Sequence, residues 1–229
     1  TTSFCDMYIF EEETARAAKE AGVRCLVGEV LFDFPSPSCK TPEEGLACTR
    51  RLAEKWYNDP LVRIIVEPHS LYTCSRPLLQ QAKMIADEFG LMLGIHLLEN
   101  QQEHDQLLEK HGKSAVAFLD DIGYLNERLL AFHCVYLTIN DISLFAKHGC
   151  KVSHNPASNM KLGNGIPPIT DMLEAGITVG LGTDGCASNN TLDMIKEMST
   201  AAKLHKVAML DPTVMDAKTA MRMATINGA

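Results

Sequence analysis

Leu91-Met92-Leu93-Gly94-Ile95-His96-Leu97-Leu98-Glu99 is an apolar run that stops on a histidine and reaches a glutamate three residues later. Its lack of polar alternation suits a strand buried on both faces, as in a parallel sheet covered by helices. The same design recurs on either side. Val62–Val66 leads to His69, Leu129–His133 ends on a histidine, Cys150–Ser153 leads to His154, and Ile177–Leu181 leads to Asp184. Val23–Val30 makes a sixth run of this kind. Between the runs lie helices with legible ends. Ser75 and Pro77 open one whose apolar face is Leu78, Ala82, Ile85 and Phe89, and Gly90 closes it. Glu11–Ala21 before Gly22 and Asn140–His148 before Gly149 repeat the theme.

Strands alternating with helices predict a parallel sheet with right-handed crossovers, either open and doubly wound or closed into a (β/α) barrel. Parallel strands place their C-terminal ends on one side. Five successive runs delivering His or Asp there are gathered by a barrel mouth and scattered by an open sheet. The expectation is therefore a barrel of the (β/α)8 TIM-like kind, within the α/β class.

The bulk composition narrows the function. The chain has 229 residues, 46% hydrophobic, with a formal net charge of -8 and no Lys/Arg run. A nucleic-acid polymer or an anionic membrane is thus not the expected partner. The longest apolar stretch is interrupted by Gly94 and His96, short of a membrane span. Thr1-Thr2-Ser3-Phe4 reads as neither signal nor transit peptide. Eight cysteines without a CxxC pair are read as reduced and mostly buried, which implies a cytoplasmic setting.

Two histidines and a carboxylate around one open position suit a single catalytic divalent metal, Zn²⁺ first, with Fe²⁺ or Mn²⁺ as alternatives. Such a metal lowers the pKa of bound water and supplies hydroxide. Glu99, one turn of loop beyond His96, is placed to shuttle the proton. His154 is ambiguous, because His-Asn-Pro also makes a turn. His104, His111, His148 and His205 lie in polar surroundings and are read as solvated. Gly180-Leu-Gly182-Thr-Asp-Gly185 matches the dinucleotide fingerprint formally, yet it carries Asp184 inside the turn and continues into polar residues. Metal ligation by Asp184 is the preferred reading.

Taken together, Pro68-His69-Ser70-Leu71-Tyr72-Thr73-Cys74-Ser75, His96-Leu-Leu-Glu99, Phe132-His133-Cys134-Val135, Ser153 to Gly163 and Gly182-Thr183-Asp184-Gly185 resemble the amidohydrolase superfamily. Within it they are similar to the methylthioadenosine/S-adenosylhomocysteine deaminase branch, beside guanine deaminases and triazine hydrolases. The resemblance spans residues 1–229. It implies a distorted (β/α)8 barrel with metal ligands on its first, fifth and eighth strands, flanked by a β-sandwich. Residues 1–229 would then be one partial barrel domain, strands two to eight, lacking the first strand and the sandwich. On that basis the segment alone is expected to bind metal poorly.

The resemblance makes His96 and Asp184 the metal ligands, with Asp184 also a base toward the attacking water. Glu99 becomes proton shuttle and substrate contact, and His133 neighbours the metal-bound water. His69 and Ser188 become substrate contacts. The implied reaction is hydrolytic deamination of an aromatic heterocycle such as an adenosine-like purine, by metal-bound hydroxide. A triazine-type chlorohydrolase or aminohydrolase, or a non-catalytic fragment, are the alternatives. The implied partner is a small heterocycle, with homo-oligomerisation left open. Branch members place arginines in the loop after strand three, where this chain has Glu29 and Lys40-Thr41. That departure predicts a preference for neutral substrates over the carboxylate-bearing S-adenosylhomocysteine.

Overall fold

A computed structural model describes residues 2–228. The chain divides into two compact units, Thr1–Ile95 and His96–Ala229. Every resolved strand pairing is parallel, and strand order follows chain order from β1 to β7.

The first unit runs β1 (Ser3–Tyr8), α1 (Glu11–Ala21), β2 (Arg24–Leu31), α2 (Pro42–Trp56), β3 (Val62–Pro68), α3 (Arg76–Phe89) and most of β4 (Met92–Leu97). Registers pair Phe4 with Cys25, Val27 with Ile64 and Ile65 with Met92. Ala15 and Ala18 of α1 and Leu52 and Trp56 of α2 pack on Cys25, Val27, Val62 and Ile64. Burying a residue such as Leu52 or Val27 in this way contributes about 1.5–3 kcal/mol.

Helix ends in this unit follow their local chemistry. Gly22 and Gly90 close α1 and α3 with φ of 70° and 65°, a conformation that costs glycine nothing. Thr41 caps α2, its hydroxyl accepting the Glu44 N–H at 3.2 Å, with Pro42 in the first turn. The start of α1 is different, because Phe10 offers no capping side chain. Buried Glu29 of β2 takes over, accepting the Phe10 and Glu11 amides at 3.2 and 3.0 Å, together with the Ser38 hydroxyl.

Glu67 of β3 lies across β2 and β4. It is fully buried, and among the described residues neither of its carboxylate oxygens has a hydrogen-bond partner. Burial, with Glu11 and Asp6 nearby, pushes its carboxyl well above the usual range. A Cβ on Gly28 would come within 2.2 Å of the Ile65 carbonyl and 2.8 Å of Glu67 Oε2, and one on Gly94 within 2.9 Å of Oε1. Gly28→Ala in the full-length protein is therefore expected to destabilise it by about 1–3 kcal/mol. An unchanged denaturation midpoint would show that β2 and β3 can part without cost.

The second unit continues from the end of β4 through α4 (Gln101–His111), α5 (Ala115–Asp121), β5 (Leu129–His133), α6 (Ile139–His148), β6 (Lys151–His154), α7 (Pro156–Leu162), α8 (Ile169–Glu174), β7 (Thr178–Leu181), α9 (Cys186–Asn189), α10 (Met194–Met209) and α11 (Ala217–Ala224). Ala131 pairs with Val152, and Val152 with Val179. Leu129, Ala131, Val152 and Val179 are buried on these strands, as are Leu119 and Phe145 of the helices. All six expected runs are strands to within two residues at each end. The seventh, Ser3–Tyr8, is not among those runs. It contains no Val, Ile or Leu, has Asp6 in its middle, and exposes Cys5 and Tyr8. No helix among the described residues is long and apolar enough to cross a membrane.

Candidate active site

The second unit assembles four of the expected residues around the C-terminal ends of β4, β5 and β7. His96 sits in β4, its ring 5.2 Å from Phe132 and 5.5 Å from His133, nearly parallel to the latter. Past the strand the backbone turns sharply, with Leu98 at φ 51°. Glu103 holds that turn, accepting the Leu98 and Glu99 amides at 3.0 and 2.7 Å. Burial pushes the Glu103 carboxyl up to about 7 against the pull of those two amides. Its own amide is capped by Asn100. Glu99 is thereby aimed. Its Oε1 accepts Asn164 Nδ2–H at 2.9 Å and lies 3.9 Å from His133 Nε2.

His133 ends β5 at φ 70°, followed by Cys134 at φ 52°. Consecutive left-handed non-glycine residues are costly, and such strain collects at functional sites. The ring is 1% exposed, and its Nδ1 meets Asn159 Oδ1 at 2.8 Å. With an amide oxygen as acceptor, Nδ1 carries a proton, and Nε2 faces Glu99.

Asp184 follows β7 at φ 58°. The Ser158 hydroxyl donates to its Oδ2, and the Gly185 amide donates to Oδ1 at 2.7 Å. Burial raises the carboxyl's pKa, but these donors, with Ser188 and the nearby His133, outweigh it and hold the group below the usual range. Ser188 also donates to the Gly185 carbonyl at 3.0 Å. Of the glycines here, Gly182 serves packing. A Cβ on Gly182 would lie 2.3 Å from Asn155 Oδ1. The helix that follows, α9, is only four residues long, unlike the helix a dinucleotide fingerprint should open.

Two expectations need correction. His205 is not solvated: it is 2% exposed on α10, with Nε2 3.0 Å from Nε2 of the fully buried His154. Its neighbours in sequence, Lys203 and Lys206, suggest a surface, whereas the helix turns position 205 inward. Burial holds both imidazoles neutral, His205 down to about 4. An unfolded histidine titrates near ~6.5, so between these values the unfolded chain binds more protons. Stability from this pair is fully present above about pH 6.5 and is lost as pH falls toward 4. His205→Gln should flatten the fall in unfolding midpoint between about pH 7.5 and 5. Parallel pH curves for parent and variant would assign the acid sensitivity elsewhere.

The second correction concerns Glu29. Its carboxylate is engaged at the start of α1 and with Ser38, so it does not stand free to repel a substrate carboxylate. The expected preference for neutral substrates loses that support. Thr41 is likewise the α2 cap.

In the first unit, His69 directly follows β3. Its Nδ1 lies 2.9 Å from Thr73 Oγ1 and 3.1 Å from Ser70 Oγ. Phe32 stacks on Phe34 and approaches the His69 ring to 5.0 Å, and Tyr72 meets that ring edge-on. Phe34 and Tyr72 are each about half exposed, so this aromatic surface is open to a ligand.

For a metal, His96 and Asp184 are donors of the right kind. Among the described residues no three His, Cys, Asp or Glu side chains converge as a metal site would require. The donors fit in chemistry and fall short in number.

Comparison with known proteins follows the same lines. The model of the amidohydrolase family matches residues 1–229. A 5-methylthioadenosine/S-adenosylhomocysteine deaminase 1 of Syntrophus aciditrophicus is 64% identical over 229 residues, 100% of this chain and 52% of that protein. An adenosine deaminase from Xanthomonas campestris with bound zinc superposes with a TM-score of 0.98 at 38% identity, over 100% of this chain and 52% of its own. A guanine deaminase from C. acetobutylicum with bound guanine shares the fold, with a TM-score of 0.89 at 24% identity over 100% and 57%. The chain thus spans about half the length of each of these relatives.

Proposed function

The chain belongs to the amidohydrolase family, and from that premise we propose that it serves the hydrolytic deamination of an adenosine-like purine. The observation that carries this reading is the placement of Glu99. Its carboxylate is oriented by Asn164, and its backbone by Glu103, beside Nε2 of His133. The likeness to deaminases that are 64% and 38% identical supports the substrate class.

On this reading residues 1–229 form one partial barrel domain covering strands two to eight. His96 and Asp184 would hold a divalent metal, taken as Zn²⁺, together with donors outside the described residues. When bound, that metal makes water a nucleophile at neutral pH. The remaining steps belong to side chains of this chain. Asp184, held ionised by Ser158 and the Gly185 amide, accepts a proton of the attacking water. Glu99 takes the other proton of that water and gives it to the ring nitrogen as the amino-bearing carbon is attacked; the proton held by Asp184 then passes, through Glu99, to the departing ammonia. His133 steadies the attacking oxygen, its tautomer set by Asn159. His69 and Ser188 contact the substrate, with Phe32 and Tyr72 bordering the His69 ring. Eight unpaired cysteines agree with a reducing, cytoplasmic setting.

The test is ammonia release by the metal-loaded full-length protein from 5'-methylthioadenosine, adenosine, S-adenosylhomocysteine and a chloro-s-triazine. Ammonia from the nucleosides is expected. Chloride release from the triazine with inert nucleosides would replace deamination by dechlorination. Turnover of none of the four would refute the proposed substrate class.

A further inference from the structure

The α10 helix starts cleanly, with Asp193 accepting the Ile195 and Lys196 amides at 2.9 and 3.2 Å. Its inward stripe is Glu197, Ala201 and His205, at successive i,i+4 positions and 1%, 0% and 2% exposed. An apolar stripe would fill that space without the desolvation cost of a carboxylate and an imidazole. The polar identities therefore call for an account. Each has its partner in the segment that follows β6 or in the turn that follows β7.

His205 meets His154 at the end of β6, Nε2 to Nε2 at 3.0 Å. Two turns earlier, Glu197 Oε2 accepts the Ala157 amide at 3.3 Å, and its Oε1 accepts Asn189 Nδ2–H at 2.7 Å. The same Asn189 amide group donates to the Thr183 carbonyl at 2.6 Å, one residue before Asp184. The residues that touch the site lie directly after the pinned Ala157 and directly after Thr183. Ser158 donates to Asp184, and Asn159 sets His133.

We propose that Glu197 and His205 are positioning residues for the deamination assigned above, an inference that rests on that reading. Their chemistry is to fix residues 154–159 and the turn at 183–189. That lets Asn159 hold the His133 tautomer and Ser158 hold the Asp184 carboxylate. Neither touches substrate. A misplacement on the order of 1 Å can cost about 10²-fold in rate.

The test uses the metal-loaded full-length protein and two readouts. One is the steady-state kinetics on the substrate that the parent deaminates. The other is the NMR resonance of the His133 Nδ1 proton shared with Asn159, which reports geometry whether or not the protein turns over. His205→Ala is expected to lower kcat by about 10- to 100-fold with KM within a few-fold, and to broaden or shift that resonance. His205→Gln, which can still donate to His154, should recover most of both. Glu197→Gln keeps the volume and should lower kcat in the same manner but less, which serves should His205→Ala fail to fold. A folded His205→Ala or Glu197→Gln with parental kcat and a parental resonance would overturn the assignment. A parent without deaminase activity refutes the reading of function instead, and the resonance still decides whether α10 orients His133.

Discussion

Glu99→Gln in the full-length protein is expected to lower kcat by about 10²–10⁴-fold while metal content and fold stay intact. The amide has nearly the volume of the carboxylate and can still accept from Asn164 through its oxygen, so the local geometry survives. What it loses is the proton. A carboxylate can take a proton at neutral pH and release it to a nitrogen, and an amide can do neither. Because the loss falls on the chemical step, KM should move far less than kcat. The measurement is kcat alongside elemental analysis of the same preparation. A variant within a few-fold of the parent would remove Glu99 from the proton path and leave its hydrogen bond to Asn164 as a structural one.

His96→Ala and Asp184→Ala should each lose metal and activity together. Changing a residue that merely supports a ligand typically costs 10- to 100-fold in metal affinity, so removing a ligand should cost more than about 10²-fold. The two sites differ in what else fails. Asp184 is tied to Ser158 and the Gly185 amide, so its removal also leaves the buried Ser158 hydroxyl without that acceptor. His96 packs beside Phe132 and His133, so its removal opens space next to the His133 imidazole. His104→Ala, a change at a side chain that pairs with adjacent Asp105, should do neither. His205 is unsuited as that control, being buried against His154. An inactive Asp184→Ala with full metal content would leave Asp184 a base and take it out of the ligand set.

The strands that carry the site were legible because parallel strands buried on both faces read as unbroken apolar runs, and because a charged or imidazole side chain at the end of such a run is conspicuous. The residues that orient those side chains were not. Asn159, Asn164 and Ser158 are uncharged, lie far from their partners in sequence, and leave no periodic trace. Glu103 was within reach, since Asn100-x-x-Glu103 is the spacing of a helix capping box, though here the glutamate also serves the Leu98 and Glu99 amides. His205 was misread from its lysine neighbours. The spacing of Glu197, Ala201 and His205 on one helical face carried the contrary information. Glu29 was misread for another reason: a carboxylate can serve a helix start on the preceding element, and nothing adjacent to it in sequence says so.

Glu67 lies so close to Gly94 that a methyl group there would meet its side chain, while at Gly28 the Ile65 carbonyl stands closer still. In descent positions 67 and 94 are therefore a linked trait spread over two codons. A lineage enlarges residue 94 most readily after it has shortened residue 67, whereas residue 28 stays small in either order because a main-chain carbonyl faces it. Protein libraries that randomise position 94 while holding Glu67 fixed would return mostly destabilised clones, and those that vary both together would not.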